Sequence, residues 1–288
     1  MNKSPLKISI VTPSFNQAQF LEQTMLSVLD QNYPDLEYII IDGGSTDGSV
    51  DIIRKHEDRL AYWVSEPDDG HYDAVNKGFE KATGDIMFWL NSDDMLVPGA
   101  LSIVNEVFSE FPDIDWITGV PGFWDDKERI IDIAEHAPIY NQKYLKNGEH
   151  SAQILHGVQQ ESCFWRRGLW EKIGGRIETK WTLAGDFELW TRMAQHAELV
   201  TVCTVLSGNR LHPGKRSIPG KDEYFRQTDE ICSSLPCRRY LDSAAFRQLR
   251  RLPGGYGLYR MFFRRKGTIL HWEGAPRYEW VRSSRRVI

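Results

Sequence analysis

The chain has 288 residues, a formal net charge of −5 and 41% hydrophobic residues. It can build a substantial core as one large domain or a domain with an extension, and its balance excludes a disordered or fibrous chain. No apolar run approaches the roughly 18 residues that span a bilayer. The N-terminus carries no basic-then-apolar leader, and the four cysteines (163, 203, 232 and 237) show no Cys-x-x-Cys spacing. A reducing cytoplasmic setting is therefore expected, without a disulfide framework or a structural zinc.

Strands and helices alternate through the first hundred residues. Ile8–Thr12 reads as a strand, and a helix follows from Gln17 to Asp30, with Leu21, Met25 and Leu29 on one face. Glu37–Ile41 is a second strand, and Thr46-Asp47-Gly48-Ser49 opens a helix to about His56. Ala61–Ser65 is a shorter strand, Tyr72–Ala82 a helix stopped by Thr83-Gly84, and Ile86–Leu90 a strand buried on both faces. A helix over 99–110 and a strand at Asp115–Thr118 continue the pattern, and a later helix runs from Asp186 to about Gln195. Between 120 and 155 the signals support loops with one short hairpin. This repeat predicts a mostly parallel, doubly wound α/β sheet whose ligand sits beyond the carboxyl ends of its strands.

Those strand ends are polar. The first ends in Thr12-Pro13-Ser14, the second in Asp42, and Ile86–Leu90 runs into Asn91-Ser92-Asp93-Asp94. Adjacent carboxylates at a crevice suit a hard divalent cation carrying phosphates, and equally suit a turn and helix cap. Asp42 with Ser45 likewise suits either a ligand or a turn. The sequence has no Gly-x-Gly-x-x-Gly after the first strand and no Gly-x-x-x-x-Gly-Lys-[Ser/Thr], so dinucleotide-binding and P-loop readings lose their support.

In combination these motifs resemble family-2 glycosyltransferases. The resemblance rests on Ile10–Asn16, Ile41–Ser49, Glu66–Gly70 with Asp73–Gly78, Leu90–Asp94, Gly185–Trp190 and Arg210-Leu211-His212, in that order over about residues 6–215. It implies the GT-A fold, a Rossmann-like nucleotide-binding α/β domain with a mostly parallel central sheet flanked by helices, over 1–235. It implies that Thr12, Pro13 and Ser14 flank a nucleotide base, that Asp42 and Asp69 contact the base region, and that Asp93 approaches the ribose and sugar. Asp94 and His212 would hold a divalent metal, Mn²⁺ or Mg²⁺, and Asp186 would be the catalytic base. Gln160-Glu161 resembles the start of the segment lining the acceptor pocket. One departure stands out: many members carry two acidic residues where this chain has Asp42-Gly43, which leaves the identity of the base open.

The chemistry implied is inverting transfer of a sugar from a nucleoside diphosphate, UDP first, to a hydroxyl of a glycan or lipid-linked acceptor, with bacterial surface polysaccharide as the setting. A metal would neutralise charge building on the leaving diphosphate, and a carboxylate base would activate the acceptor for about 10²–10⁴ in rate. A sugar-1-phosphate nucleotidyltransferase would want a Gly-rich basic loop after the first strand. A non-catalytic nucleotide-sugar-binding module would have no use for Asp186.

Residues 236–288 lie outside the resemblance. From 238 onward the chain carries 13 Lys+Arg against 3 Asp+Glu, whereas residues 1–237 carry 22 against 37. Arg247, Arg250 and Arg251 recur at helical spacing, which gives a helical reading of this basic extension. An anionic membrane surface, which would place the enzyme peripherally at the inner face, or a self-docking extension are its two main readings. No nucleic-acid partner is expected, because no recognised module accompanies the charge.

Overall fold

The computed structural model describes residues 4–151, 153, 155, 157–215, 219–235, 266–273 and 279–286. In chain order the elements are β1 (Ile8–Ser14), α1 (Ala18–Leu29), β2 (Leu36–Asp42), α2 (Ser49–Lys55), β3 (Tyr62–Ser65), α3 (His71–Lys81) and β4 (Ile86–Trp89). Then come β5 (Met95–Leu96), α4 (Ala100–Glu110), β6 (Trp116–Thr118), β7 (Gly122–Trp124), β8 (Ile130–Ile133), α5 (Gln142–Lys146), β9 (Phe164–Arg166) and α6 (Arg167–Lys172). α7 (Gly185–Met193), β10 (Leu199–Val202), β11 (Ser207–Arg210), α8 (Lys221–Ser234), β12 (Lys266–Glu273) and β13 (Glu279–Arg286) complete the described chain.

A nine-stranded sheet has the order β13-β12-β10-β6-β9-β4-β1-β2-β3. Parallel pairs join β1 to β2 and β4, β2 to β3, β10 to β6, and β10 to β12. β9 runs antiparallel between β4 and β6, an insertion that no strand–helix alternation announces. A second, small sheet has the order β5-β11-β7-β8, in which β7 and β8 form the hairpin expected between 120 and 155.

Burial follows the sequence periods. β1 and β4 are buried at every position, as strands covered on both faces must be. Helix α3 turns Tyr72, Val75, Gly78 and Phe79 inward on a 3.6-residue period. Its backbone lies so close to β1 that a Cβ at Gly78 would fall 2.3 Å from Val11 Cγ1. α7 is fixed across the sheet by Trp190, whose indole stacks on Trp89 at 5.9 Å and on Trp116 at 5.4 Å.

The 236–288 segment departs from its helical reading where it is described. β12 joins the sheet edge in register with β10, pairing Thr201 with Ile269 and Val202 with Leu270, and β13 folds back on it. Ile269 and Leu270 are buried there, so apolar burial at a sheet edge decides the local structure. The arginines at helical spacing, 247–251, lie outside the described residues.

One charged network ties β1, β2 and the loop after α3. The Glu37 carboxylate accepts from Lys7 Nζ at 2.7 Å, Ser9 Oγ at 2.6 Å, the Thr83 amide at 2.6 Å and the Thr83 hydroxyl at 2.7 Å. Burial alone would raise its pKa, but these donors bring it down to about 2. A depressed carboxylate contributes stability above its unfolded value, near 4.5, which is lost as pH falls from there through about 2. Glu37→Gln should cost roughly 2–3 kcal/mol at neutral pH and flatten this acid limb, as measured by urea unfolding at a series of pH values.

Candidate active site

A cleft of about 940 Å³ opens beyond the carboxyl ends of β1, β2 and β4, where an open α/β sheet places its ligand. Pro13, Ser14, Asp68, Asp93, Glu161 and Asp186 are among the residues that line it.

The loop leaving β4 separates its two carboxylates. Asp94 is fully buried. Its Oδ1 accepts from the Arg210 backbone N–H at 2.8 Å and from Lys215 Nζ at 3.1 Å, and its Oδ2 accepts from Asn91 Nδ2 at 3.1 Å. Burial and the neighbouring Asp93 press Asp94 toward its neutral form, yet every group on its oxygens is a donor, an arrangement that serves the carboxylate. Burial would lower the Lys215 pKa, but the charges of Asp94, Glu161 and Asp93 outweigh it and raise it. Asp94 thus anchors Lys215 and the Arg210 backbone through Oδ1, and its expected role as metal ligand would rest on Oδ2, which accepts from Asn91 alone.

Asp93, expected at the ribose, is the carboxylate on the cleft wall. Its Oδ2 meets His212 Nε2 at 3.0 Å, and its backbone carbonyl accepts from Arg210 Nε at 2.7 Å. His212 packs on Phe20 with ring centroids 4.5 Å apart. Arg210 is itself fully buried, its guanidinium 4.8 Å over the same ring. Among the described residues no group of three or more His, Cys, Asp or Glu gathers to hold a metal. The Asp93 carboxylate and the His212 imidazole are the pair that would suit a divalent ion taking its other ligands from a diphosphate.

Asp186 opens α7 one turn before the anchoring Trp190. Its Oδ1 accepts from the Phe187 amide at 2.7 Å and contacts the Tyr72 hydroxyl at 3.4 Å. The tyrosine reaches it because residue 185 is glycine: a Cβ there would lie 2.6 Å from the ring. Burial raises the Asp186 pKa, the charge of Glu161 adds to it, and the Phe187 amide and Tyr72 hydroxyl pull against them, leaving it at about 6. That is a fitting value for a base at neutral pH.

At the β1 and β2 ends the expected residues divide. Pro13 and Ser14 line the cleft, whereas Thr12 is fully buried and bonded to the Tyr38 hydroxyl at 3.0 Å. Asp42 is fully buried too, accepting from the amides of Gly44 and Ser45 and the hydroxyls of Ser45 and Ser65 at 2.6–3.2 Å. It organises its own turn and ties it to β3 through Ser65. Asp69 is exposed and lies off the cleft, while its neighbour Asp68 lines it. Sequence reasoning missed Asp68, Lys215 and Phe15, a phenylalanine 61% exposed at the cleft. An aromatic placed next to a polar strand end was the available signal for Phe15.

The fold is that of a GT-A glycosyltransferase, with a cleft at the carboxyl ends of its strands. The chain belongs to glycosyl transferase family 2, whose description matches residues 9–174. It is 33% identical over 201 residues to an uncharacterized glycosyltransferase of Mycobacterium tuberculosis, covering 69% of this chain and 73% of that one. Over 108 residues it is 32% identical to the GalNAc(5)-diNAcBac-PP-undecaprenol beta-1,3-glucosyltransferase of Campylobacter jejuni, covering 36% of this chain and 35% of that one. Among solved structures it resembles S. aureus TarS 1–349 in complex with UDP-GlcNAc, with TM-score 0.61 and 16% identity over 81% of this chain and 68% of that one. It also resembles the mannosyltransferase PcManGT of Pyrobaculum calidifontis in complex with GDP-Man and Mn²⁺, with TM-score 0.61 and 17% identity over 91% and 82%.

The two aspartates should separate in stability measurements. Asp94→Ala removes the nearest carboxylate of the buried Lys215 and should cost about 3–5 kcal/mol in urea unfolding. Asp93→Ala leaves the Asp94–Lys215 pair in place and should cost less, about 1–2 kcal/mol. Equal losses would refute the division of labour.

Proposed function

We propose that the protein is a metal-dependent inverting glycosyltransferase. It moves a sugar from a nucleoside diphosphate, UDP first, to a hydroxyl of a glycan or lipid-linked acceptor in bacterial surface polysaccharide assembly. The observation that carries this reading is that one cleft joins Asp93, which is bonded to the buried His212, to a carboxylate, Asp186, whose pKa is raised to about 6. The TarS complex with UDP-GlcNAc and the PcManGT complex with GDP-Man and Mn²⁺ support the donor class and the metal. The Campylobacter relative, named for an undecaprenol-linked acceptor, supports the lipid-linked one.

Asp93 and His212 would hold the ion, which when bound supplies positive charge to the departing diphosphate. Lys215, on the same wall, adds a fixed ammonium at that end of the cleft. Asp186 takes the proton from the acceptor hydroxyl, its Oδ1 oriented by the Phe187 amide and Tyr72. A base on the acceptor side directs attack opposite the leaving group, so the anomeric configuration inverts. A pure binding module leaves Asp186 without a task, and a nucleotidyltransferase leaves the β1 end without its glycine-rich loop.

Asp186→Asn should lower transfer about 10²–10⁴-fold while UDP affinity by calorimetry stays within about twofold, and equal loss of both would defeat the assignment. In the wild type, kcat/KM should fall tenfold per unit as pH drops below about 6, because protonation removes the base.

The basic extension is proposed to meet anionic lipid. Truncation is the wrong test, since it would remove β12 from the edge beside β10. Replacing Arg247, Arg250 and Arg251 with Gln should weaken cosedimentation with phosphatidylglycerol vesicles by about tenfold and spare turnover on a soluble acceptor. Unchanged cosedimentation would end the membrane reading.

A further inference from the structure

Helix α7 carries Asp186 in its first turn, yet the residue that precedes the helix, Ala184, has only a methyl group and supplies no side-chain cap. The amides that open a helix then need acceptors from elsewhere, and Ala184 is fully buried away from water. Helix α8 supplies one. Gln227 Oε1 accepts from the Leu183 amide at 3.0 Å and from the Ala184 amide at 3.1 Å. The nitrogen of the same side chain is fixed too: Nε2 donates to Thr182 Oγ1 at 2.9 Å and to Glu223 Oε1 at 2.7 Å. A carboxylate only accepts, so the amide nitrogen must lie toward Glu223 and the oxygen toward the two backbone amides. Arg226 holds Glu223 in turn, at 2.6 and 2.7 Å. Gln227 is 2% exposed, and both its lone pairs and both its N–H groups are engaged.

We infer that Gln227 is a positioning residue for the base: from α8 it caps the start of α7 and thereby aims the Asp186 carboxylate into the cleft. This rests on the reading of Asp186 as base and extends it to a residue outside the cleft lining. The first turn of α7 is held at three points. Gln227 takes the Leu183 and Ala184 amides, the Tyr72 hydroxyl takes the Asp186 amide at 3.2 Å, and Asp186 Oδ1 takes the Phe187 amide. Without Gln227 two amides at a buried helix start lose their acceptor, and the segment must move to find another. Asp186 moves with it, two residues further on. A reacting group displaced by about 1 Å can lose about 10²-fold in rate. The same helix reaches the cleft itself: Lys221, Tyr224 and Phe225 line it, and the charge of Asp186 adds to the burial that raises the Tyr224 phenol. The helix that walls the cleft beside Asp186 thus also holds Asp186 in place.

The test is steady-state release of nucleoside diphosphate by the full chain from a panel of UDP- and GDP-sugars with Mn²⁺, water serving as acceptor. Calorimetry with the matching nucleoside diphosphate and thermal melting accompany it. On the donor that the wild type turns over fastest, Gln227→Met should lower kcat about 10- to 100-fold and leave KM and nucleotide affinity within about twofold. Exchanging the pair, Glu223→Gln with Gln227→Glu, returns an acceptor to both amides and a donor to the new carboxylate. It should bring kcat back to within about fivefold of wild type. Ile231→Ala separates positioning from stability. Ile231 belongs to the buried cluster of Trp181, Ala184, Phe187 and Cys232 between α7 and α8 and makes none of the Gln227 hydrogen bonds. Its truncation should lower the melting temperature at least as far as Gln227→Met and leave kcat within about threefold. Where Gln227→Met does not melt cooperatively, Gln227→Asn, whose shorter chain withdraws the oxygen, takes its place. Equal losses of kcat in the Gln227 and Ile231 variants, or no recovery in the exchanged pair, would overturn the positioning role and leave Asp186 standing as base. If Asp186→Asn keeps the wild-type kcat, or the wild type acts on no donor of the panel, the base reading fails and this inference falls with it.

Discussion

The clamp on Asp94 is the constraint on which the rest of the site depends. Three donors converge on a carboxylate that is fully buried: the Arg210 backbone amide, the Lys215 ammonium and the Asn91 side chain. Arg210 closes β11, so the clamp joins the small sheet to the end of β4, beside the antiparallel pairing of β5 with β11. From α1, the Thr24 hydroxyl bridges the carbonyls of Ser92 at 2.9 Å and Asp94 at 2.8 Å. The loop is held from three elements, and a buried charge with its partner removed is costly enough to keep it so. With Asp94 pinned inward, Asp93 is left on the cleft wall against His212.

This explains what the amino-acid sequence revealed and what it hid. The strand–helix alternation, the crevice beyond the strand ends and the separate carboxylate at Asp186 follow from local periods and from where polar residues interrupt apolar runs. The assignment of Asp93 and Asp94 does not. Where the Asp94 side chain sits depends on Arg210 and Lys215, which lie 116 and 121 residues away in the chain. Asp42 is drawn into its turn for a more local reason: Ser45 and Ser65 donate to it, and only the Ser45 part is visible in the sequence as a turn signal. Asp68 and Asp69 differ by one position in a polar loop, and only the path of that loop past Gly43 tells them apart.

The basic extension shows the same limit from the other side. Charge marked it as distinct, and charge is a statement about partners more than about fold. The described part of it belongs to the large sheet. Leu270 accepts from the Cys203 amide at 2.7 Å, and the Thr268 hydroxyl bonds Glu198 at 3.0 Å. The short run Thr268-Ile269-Leu270 was too brief to read as a strand, yet it is what fits against β10. A boundary at 235 separates compositions and does not separate the sheet.

Four acidic groups share one cleft region, and their environments give them different tasks. Asp94 is neutralised by donors and works as an anchor. Asp93 faces an imidazole and an ammonium 3.9 Å away, a setting suited to cations and phosphate. Glu161 is bound by Asn209 on β11 and contributes its field. Asp186 has no cationic partner among these contacts, only an amide and a phenol, and the charge of Glu161 raises its pKa further. Of the four it is the one with a pKa brought close to neutrality without a resident cation, which is the condition a proton acceptor needs. The separation of roles therefore comes from where Lys215 and Arg210 sit: both lie on the Asp94 side, and a cation placed beside Asp186 instead would hold it ionised at a low pKa and take away its basicity.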